Sequence, residues 1–236
     1  MKITKIFTFA FVFAASVLSS SAQFTSTVVS LTGSVLDQYT KKPVALTVEV
    51  LDSDGEKFSK AKSNARDGYY FLTGLKPGKK YIVQITDSRY LKYIDEFEVP
   101  NTDKYSDYSK DIQVTTSRIN SEILVSVSPF ELSKASIRPG VDNYLKEYVD
   151  ILLDNPTVKV AIEVYPDNDT DKNKNKLLTF GRAEALKNYF IQAGIDAGRL
   201  DLKNYDTVDP KNPPPSEKRA KGKRYVGSVI LKITAL

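Results

Sequence analysis

The sequence predicts an α+β protein: an antiparallel β-sandwich first, then a two-layer α/β unit in which a mixed sheet packs on helices. Two observations carry this expectation. From Thr27 to about Thr116, short alternating apolar runs are broken by turn residues, with no helical period. From about Ile119 onward, strand-like alternation gives way twice to amphipathic helical stretches before a last strand. The division predicts units at 27–117 and 118–236, each long enough to bury a core of its own.

In the first unit, residues 28–36 and 45–51 alternate as strands. Asp52-Ser53-Asp54-Gly55 follows as a turn, because glycine takes the positive φ that such turns need. Strands are expected at 68–72 and 81–85, separated by Leu75-Lys76-Pro77-Gly78, and at 97–99 and 112–114. Tyr69, Phe71 and Tyr81 fall where sandwich-core side chains are expected; the competing use is an aromatic face for carbohydrate.

In the second unit, residues 119–127 read as a connecting strand, and Pro139-Gly140 precedes a helix over 141–153 with Tyr144, Tyr148, Ile151 and Leu152 near one stripe. Asn155-Pro156 stops it. A strand at 158–164, a polar loop at 168–175 and a second helix from about 176 to 193 follow, ended by Gly194. After Pro213-Pro214-Pro215, a final strand is expected at 225–233.

Composition removes whole chemistries. The sequence has no histidine, no cysteine and no tryptophan, and one methionine. Without histidine or cysteine there is no Ser-His-Asp or Cys-His site, and no zinc, iron–sulfur or haem site built on those ligands. No cofactor is expected, and a non-enzymatic binding role is favoured over catalysis. Residues 1–22 read as a secretory signal: Lys2 and Lys5, an apolar stretch over 6–18, then Ser19-Ser20-Ser21-Ala22 for cleavage before Gln23. At thirteen residues this stretch falls short of the ~20 that span a bilayer. No later stretch is apolar enough for a membrane helix, and no cysteine is present to carry a lipid. Loss of Lys2 and Lys5 lowers the net charge from +5 to +3, too mild to argue for a nucleic-acid partner. The basic run Lys218-Arg219-Ala220-Lys221-Gly222-Lys223-Arg224 reads as a solvated face, or as a contact for anionic lipid or wall polymer.

Arg182 is the anomaly. Leu178, Leu186 and Phe190 form one apolar ladder along the second helix, and Arg182 stands on it one turn after Leu178. A guanidinium there must find an anion or reach solvent, because an unpaired buried charge is costly. Asp167, at the end of the preceding strand, is the partner in reach. The pair is either a strut or a divided clamp, with the carboxylate accepting from an ammonium and the guanidinium holding a carboxylate through two bonds. Asp167, Asp169 and Asp171 also resemble the opening of a calcium loop, but Lys172 stands where glycine is needed and Leu178 where glutamate is needed, so no metal is expected.

Two family resemblances follow from these residues. Leu31-Thr32-Gly33-Ser34-Val35, Lys42-Pro43-Val44-Ala45, Val48-Glu49-Val50, Arg66-Asp67-Gly68-Tyr69-Tyr70-Phe71, Leu75-Lys76-Pro77-Gly78 and Tyr81 resemble the carboxypeptidase-regulatory-like, transthyretin-like sandwich, whose domains serve as accessory spacers. Asp167, Asn175, Leu178, Thr179 and Arg182-Ala183 resemble the OmpA-like peptidoglycan-binding signature, T-D, seven residues, then N-x-x-L-S-x-x-R-A. Phe130, Lys134-Ala135-Ser136-Ile137-Arg138-Pro139, Gly194-Ile195 and Arg199-Leu200 extend that likeness over about 122–234. It implies a periplasmic, cell-envelope protein of a Gram-negative bacterium that binds the meso-diaminopimelate of peptidoglycan stem peptides. Asp167 and Arg182 would grip its head group, with Asn175, Leu178 and Phe130 lining or bracing the pocket. Two departures stand out: Val164-Tyr165-Pro166 replaces the family's Gly-His-Thr, and Lys223-Arg224-Tyr225-Val226 replaces its Asn-Arg-Arg-Val. The first favours the alternative of an assembly subunit in an outer-membrane or secretion complex, docking a protein partner.

Overall fold

Alternation in the first half is realised as eight strands: β1 (Val29–Asp37), β2 (Thr47–Asp52), β3 (Lys57–Lys62), β4 (Tyr69–Leu75), β5 (Lys80–Ile85), β6 (Tyr93–Glu98), β7 (Ser106–Ser109) and β8 (Ile112–Val114). The computed structural model describes residues 27–215 and 224–236. The predicted leader at 1–22 and the basic run at 218–224, apart from Arg224, lie outside the described residues. Among the described residues the protein is of mixed α+β class, with three four-stranded sheets.

The first sheet is ordered β4-β1-β7, with β8 also pairing β1; the second is ordered β3-β2-β5-β6. Inward residues of both sheets, among them Leu31, Val35, Val50, Tyr70, Val83 and Ile112, form one apolar cluster. β3 and β7 escape the sequence reading because Lys-Phe-Ser-Lys-Ala-Lys and Ser-Asp-Tyr-Ser are short and mostly polar.

The expected core role of Tyr69 and Phe71 is overturned: each is 47% exposed, whereas Tyr70 and Leu72 are 1% and 3% exposed. Four consecutive apolar residues leave both phases of the strand plausible, and register against β1 decides between them. Tyr70 points inward, and its hydroxyl donates to the Lys110 carbonyl at 2.6 Å. Tyr81 is buried as expected.

The second half builds β9 (Glu122–Leu124), α1 (Asp142–Asp154), β10 (Lys159–Val164), α2 (Lys172–Gln192), β11 (Leu200–Asn204) and β12 (Val229–Ala235). The sheet order is β11-β10-β12-β9, with β10 parallel to β11 and antiparallel to β12. Leu145, Tyr148 and Leu152 of α1 and Ala183, Leu186 and Phe190 of α2 pack with inward sheet residues such as Val160, Ile162 and Leu231. Tyr144 leaves the predicted stripe and is 53% exposed; Leu145 and Val149 take the buried positions. The predicted polar loop over 168–175 ends early, since α2 starts at Lys172. The Asp171 carboxylate caps it, accepting from the amides of Asn173 and Lys174. Gly194, at φ +99°, ends it. β11 was not anticipated; its single alternation Leu-Asp-Leu-Lys-Asn follows directly on a 3-10 turn.

The halves are fastened to each other. Leu91, from the loop before β6, is buried in the cluster of the second half. Beside it, the Lys92 amide donates to Asn155 Oδ1 at 2.8 Å, and Asn155 Nδ2 donates to the Lys92 carbonyl at 3.0 Å. Asn155 Nδ2 also donates to the Ile151 carbonyl, and Arg199 donates to the carbonyls of Leu152, Asn155 and Val158. The bonds to Ile151 and Leu152 occupy carbonyls that the last turn of α1 leaves without intrahelical partners.

Because Leu91 fills a core built by the other half, Leu91→Ala is expected to destabilise the second half by ~2–5 kcal/mol, as truncation of a buried leucine does. Urea unfolding followed by a probe on α2 measures this; an unchanged midpoint would show that the second core closes without Leu91.

Candidate functional site

α2 carries Arg182 into the core, and the chain leaving β10 carries Asp167 to meet it. Their side chains are 0% and 1% exposed. The contact is two-pronged: Arg182 Nη1 donates to Asp167 Oδ1 at 2.7 Å and Nη2 to Oδ2 at 3.0 Å. The plane of the guanidinium fits this arrangement, which a lysine cannot reproduce.

Further donors and acceptors of the pair are also used. Arg182 Nε donates to the Lys134 carbonyl at 2.9 Å, and Nη2 donates to the Glu131 carbonyl at 3.0 Å. Asp167 Oδ2 accepts from the Ser133 amide at 2.7 Å and Oδ1 from the Gly227 amide at 2.8 Å. The guanidinium also lies 5.1 Å from the centre of the Phe130 ring. Burial pushes the Asp167 carboxyl up, but the Arg182 guanidinium and the amides of Gly227 and Ser133 outweigh it and hold the group below its ordinary range.

The predicted residues gather around this pair in different roles. Phe130 is 2% exposed and backs the guanidinium. Asn175 is buried and turned to the loops: its Nδ2 donates to the carbonyls of Asn168 and Asp206. Leu178 is half-buried on α2, one turn before Arg182. Thr179 Oγ1 donates to the Tyr205 carbonyl, so the first turns of α2 are tied to the end of β11. The three acids of the calcium-like stretch are engaged separately: Asp167 holds Arg182, Asp169 accepts from the Val208 amide, and Asp171 caps α2. Among the described residues, no group of three or more acidic side chains is placed to hold a metal ion.

Sequence reasoning missed Gly227 and the 131–134 backbone. A Cβ on Gly227 would lie 2.0 Å from the Tyr165 carbonyl oxygen and 2.6 Å from that of Pro166, so only glycine permits the close approach that brings its amide to Asp167. A lone glycine ahead of a final strand is the available signal. The carbonyls of Glu131 and Lys134 leave no mark in a sequence. Two clefts, of ≈ 820 Å³ between β6 and α1 and ≈ 330 Å³ beside Tyr39 and Glu122, are both lined without Asp167 or Arg182.

No family model matches the chain. It is 26% identical over 136 residues to a probable lipoprotein, YiaD, of Escherichia coli K12; the match covers 56% of this chain and spans 61% of that protein's length. Among solved structures, the periplasmic domain of Helicobacter pylori MotB aligns with 52% of this chain and 81% of its own, at 14% identity and a TM-score of 0.41. The peptidoglycan-associated lipoprotein of Burkholderia pseudomallei aligns with 44% of this chain and 86% of its own, at 15% identity and a TM-score of 0.36.

Two outcomes follow from the geometry. Asp167→Ala leaves the buried Arg182 without its counter-ion and is expected to cost ~3–5 kcal/mol, whereas replacing both by apolar residues of similar volume restores much of that loss; thermal melting of the three chains measures it. The folded-state pKa of Asp167 lies below its ordinary 3.8. Its contribution is therefore complete above that value and lost as pH falls through the folded pKa. Asp167→Asn is expected to flatten the acid limb of stability against pH, read by urea titration in steps from neutral pH downward; an unchanged limb would assign it to other carboxyls.

Proposed function

We propose that this is a non-enzymatic wall-binding protein of the periplasm that grips the meso-diaminopimelate of peptidoglycan stem peptides. Asp167 would accept from the ammonium and Arg182 would donate to the carboxylate, with Phe130 behind the guanidinium and Asn175 and Leu178 bracing the helix that carries it. On this reading residues 27–117 are a sandwich spacer of the carboxypeptidase-regulatory-like kind, residues 118–236 are the OmpA-like binding unit, and residues 1–22 direct export. The observation that carries the reading is a carboxylate and a guanidinium meeting in a two-pronged bond at the signature's positions. A zwitterionic amino-acid head group asks for these two groups side by side.

Further support is coarser. A relative with this extent of identity bears a lipoprotein's name, and one of the structures above bears that of a peptidoglycan-associated lipoprotein. The present sequence has no cysteine to carry a thioether-linked lipid. Wall contact would then itself hold the protein in the envelope.

The second reading, an assembly subunit docking a protein partner, is favoured by one observation: the pair is covered by backbone from the 131–134 segment. Retention on purified sacculi separates the two. The wild-type chain is expected to co-sediment with sacculi and to be displaced by millimolar meso-diaminopimelate but not by lysine. Asp167→Asn, shown to be folded by circular dichroism, should bind at least ~10-fold more weakly, the loss of a charge-assisted hydrogen bond worth ~1.5–3 kcal/mol. Absence of the wild-type chain from the pellet would leave the docking role.

A further inference from the structure

Resting on the wall-binding reading, we infer that residues 131–135 are a closed latch over the Asp167–Arg182 pair, an internal stand-in for the zwitterion that a ligand must displace. The correspondence is atom by atom. The Glu131 and Lys134 carbonyl oxygens accept from Arg182 Nη2 and Nε, where the two oxygens of a ligand carboxylate would accept. The Ser133 amide donates to Asp167 Oδ2, where a ligand ammonium would donate. All three contacts come from the backbone of one short segment.

The segment is built to lift. Its ends are pinned by the Phe130–Ile137 bridge and by Arg138 Nε donating to the Ser128 carbonyl at 3.0 Å. Between these pins the side chains of Glu131, Ser133 and Lys134 face solvent and those of Leu132 and Ala135 are half-buried, so little apolar area holds the segment down. Ser133 sits at φ +58°, a left-handed conformation that a side chain disfavours and that opening would release. Lifting the latch leaves the bonds between Asp167 and Arg182 and the Gly227 amide in place. It frees two guanidinium N–H groups and one face of Oδ2, the set a zwitterion requires.

The latch would set apparent affinity, because a site open for a fraction of the time binds with its intrinsic constant divided by that fraction. A lock can test this within one polypeptide. A Cβ on Gly181 of α2 would lie 3.1 Å from the Ala135 Cβ, close to the ~3.5–4.5 Å of a disulfide after slight relaxation. The sequence holds no other cysteine, so Ala135→Cys with Gly181→Cys can form only this bridge within one chain, and oxidation at low protein concentration keeps chains from cross-linking.

The reduced form is expected to be retained by sacculi like the wild type, and the oxidised form to lose at least ~10-fold, with full recovery on reduction. Ser133→Pro, which removes the amide donor and cannot hold the left-handed backbone, should bind several-fold more tightly than wild type. Equal retention of the oxidised and reduced forms overturns the latch and leaves wall binding intact. Retention of neither form, nor of the wild type or Ser133→Pro, overturns wall binding itself and the latch with it.

Discussion

The second half of the molecule is organised by the need to neutralise one guanidinium. Arg182 occupies a place on the ladder of Leu186 and Phe190 where an apolar side chain would pack without electrostatic demand. Once it is there, everything around it answers to that charge: Asp167 must arrive from β10, Gly227 must be small enough to let a second amide approach, and the 131–134 backbone must turn its carbonyls inward. Among the described residues, no buried side-chain nitrogen or oxygen lacks a partner. That completeness is what makes so deep an ion pair tolerable, since a partly satisfied network is worse than an apolar core.

On the proposed reading, the same arrangement would couple recognition to stability. The Asp167–Arg182 pair holds α2 to the chain leaving β10, so a substitution there loosens the fold whatever it does to binding. Conservative replacements and reversible cross-links therefore say more about the site than alanine does. The aromatic pair Tyr165 and Tyr205, stacked at 4.2 Å, marks the other face of the same strand end. There Glu163 accepts from the hydroxyls of Tyr165 and Tyr205 and from the Lys203 ammonium, so Tyr165 belongs to a polar layer at that strand end.

How much of this was legible in the sequence depended on whether side chains or backbone do the work. The pairing of Asp167 with Arg182 was readable, because a charge on an apolar ladder needs an anion and a strand end nearby supplied one. The start of α2 was not, because its first turn, Lys172-Asn173-Lys174, has no apolar residue and its cap lies in a stretch that reads as an acidic loop. Tyr69 to Leu72 offered two equally apolar phases, and only pairing with β1 chose between them. The segment over the pair was invisible for a simpler reason: its carbonyls and amide are shared by every residue type.

Topology gives the pair a mechanical setting as well as a chemical one. Asp167 leaves the C-terminal end of β10, which lies between β11 and β12, paired with β11 over Val160 to Val164 and with β12 over Lys159 to Val164. A pull on Asp167 along the strand would load both ladders in shear, so that their hydrogen bonds resist together instead of parting one by one. A tether fastened there would be anchored in the middle of the sheet, at the strand whose removal requires the most bonds to fail at once.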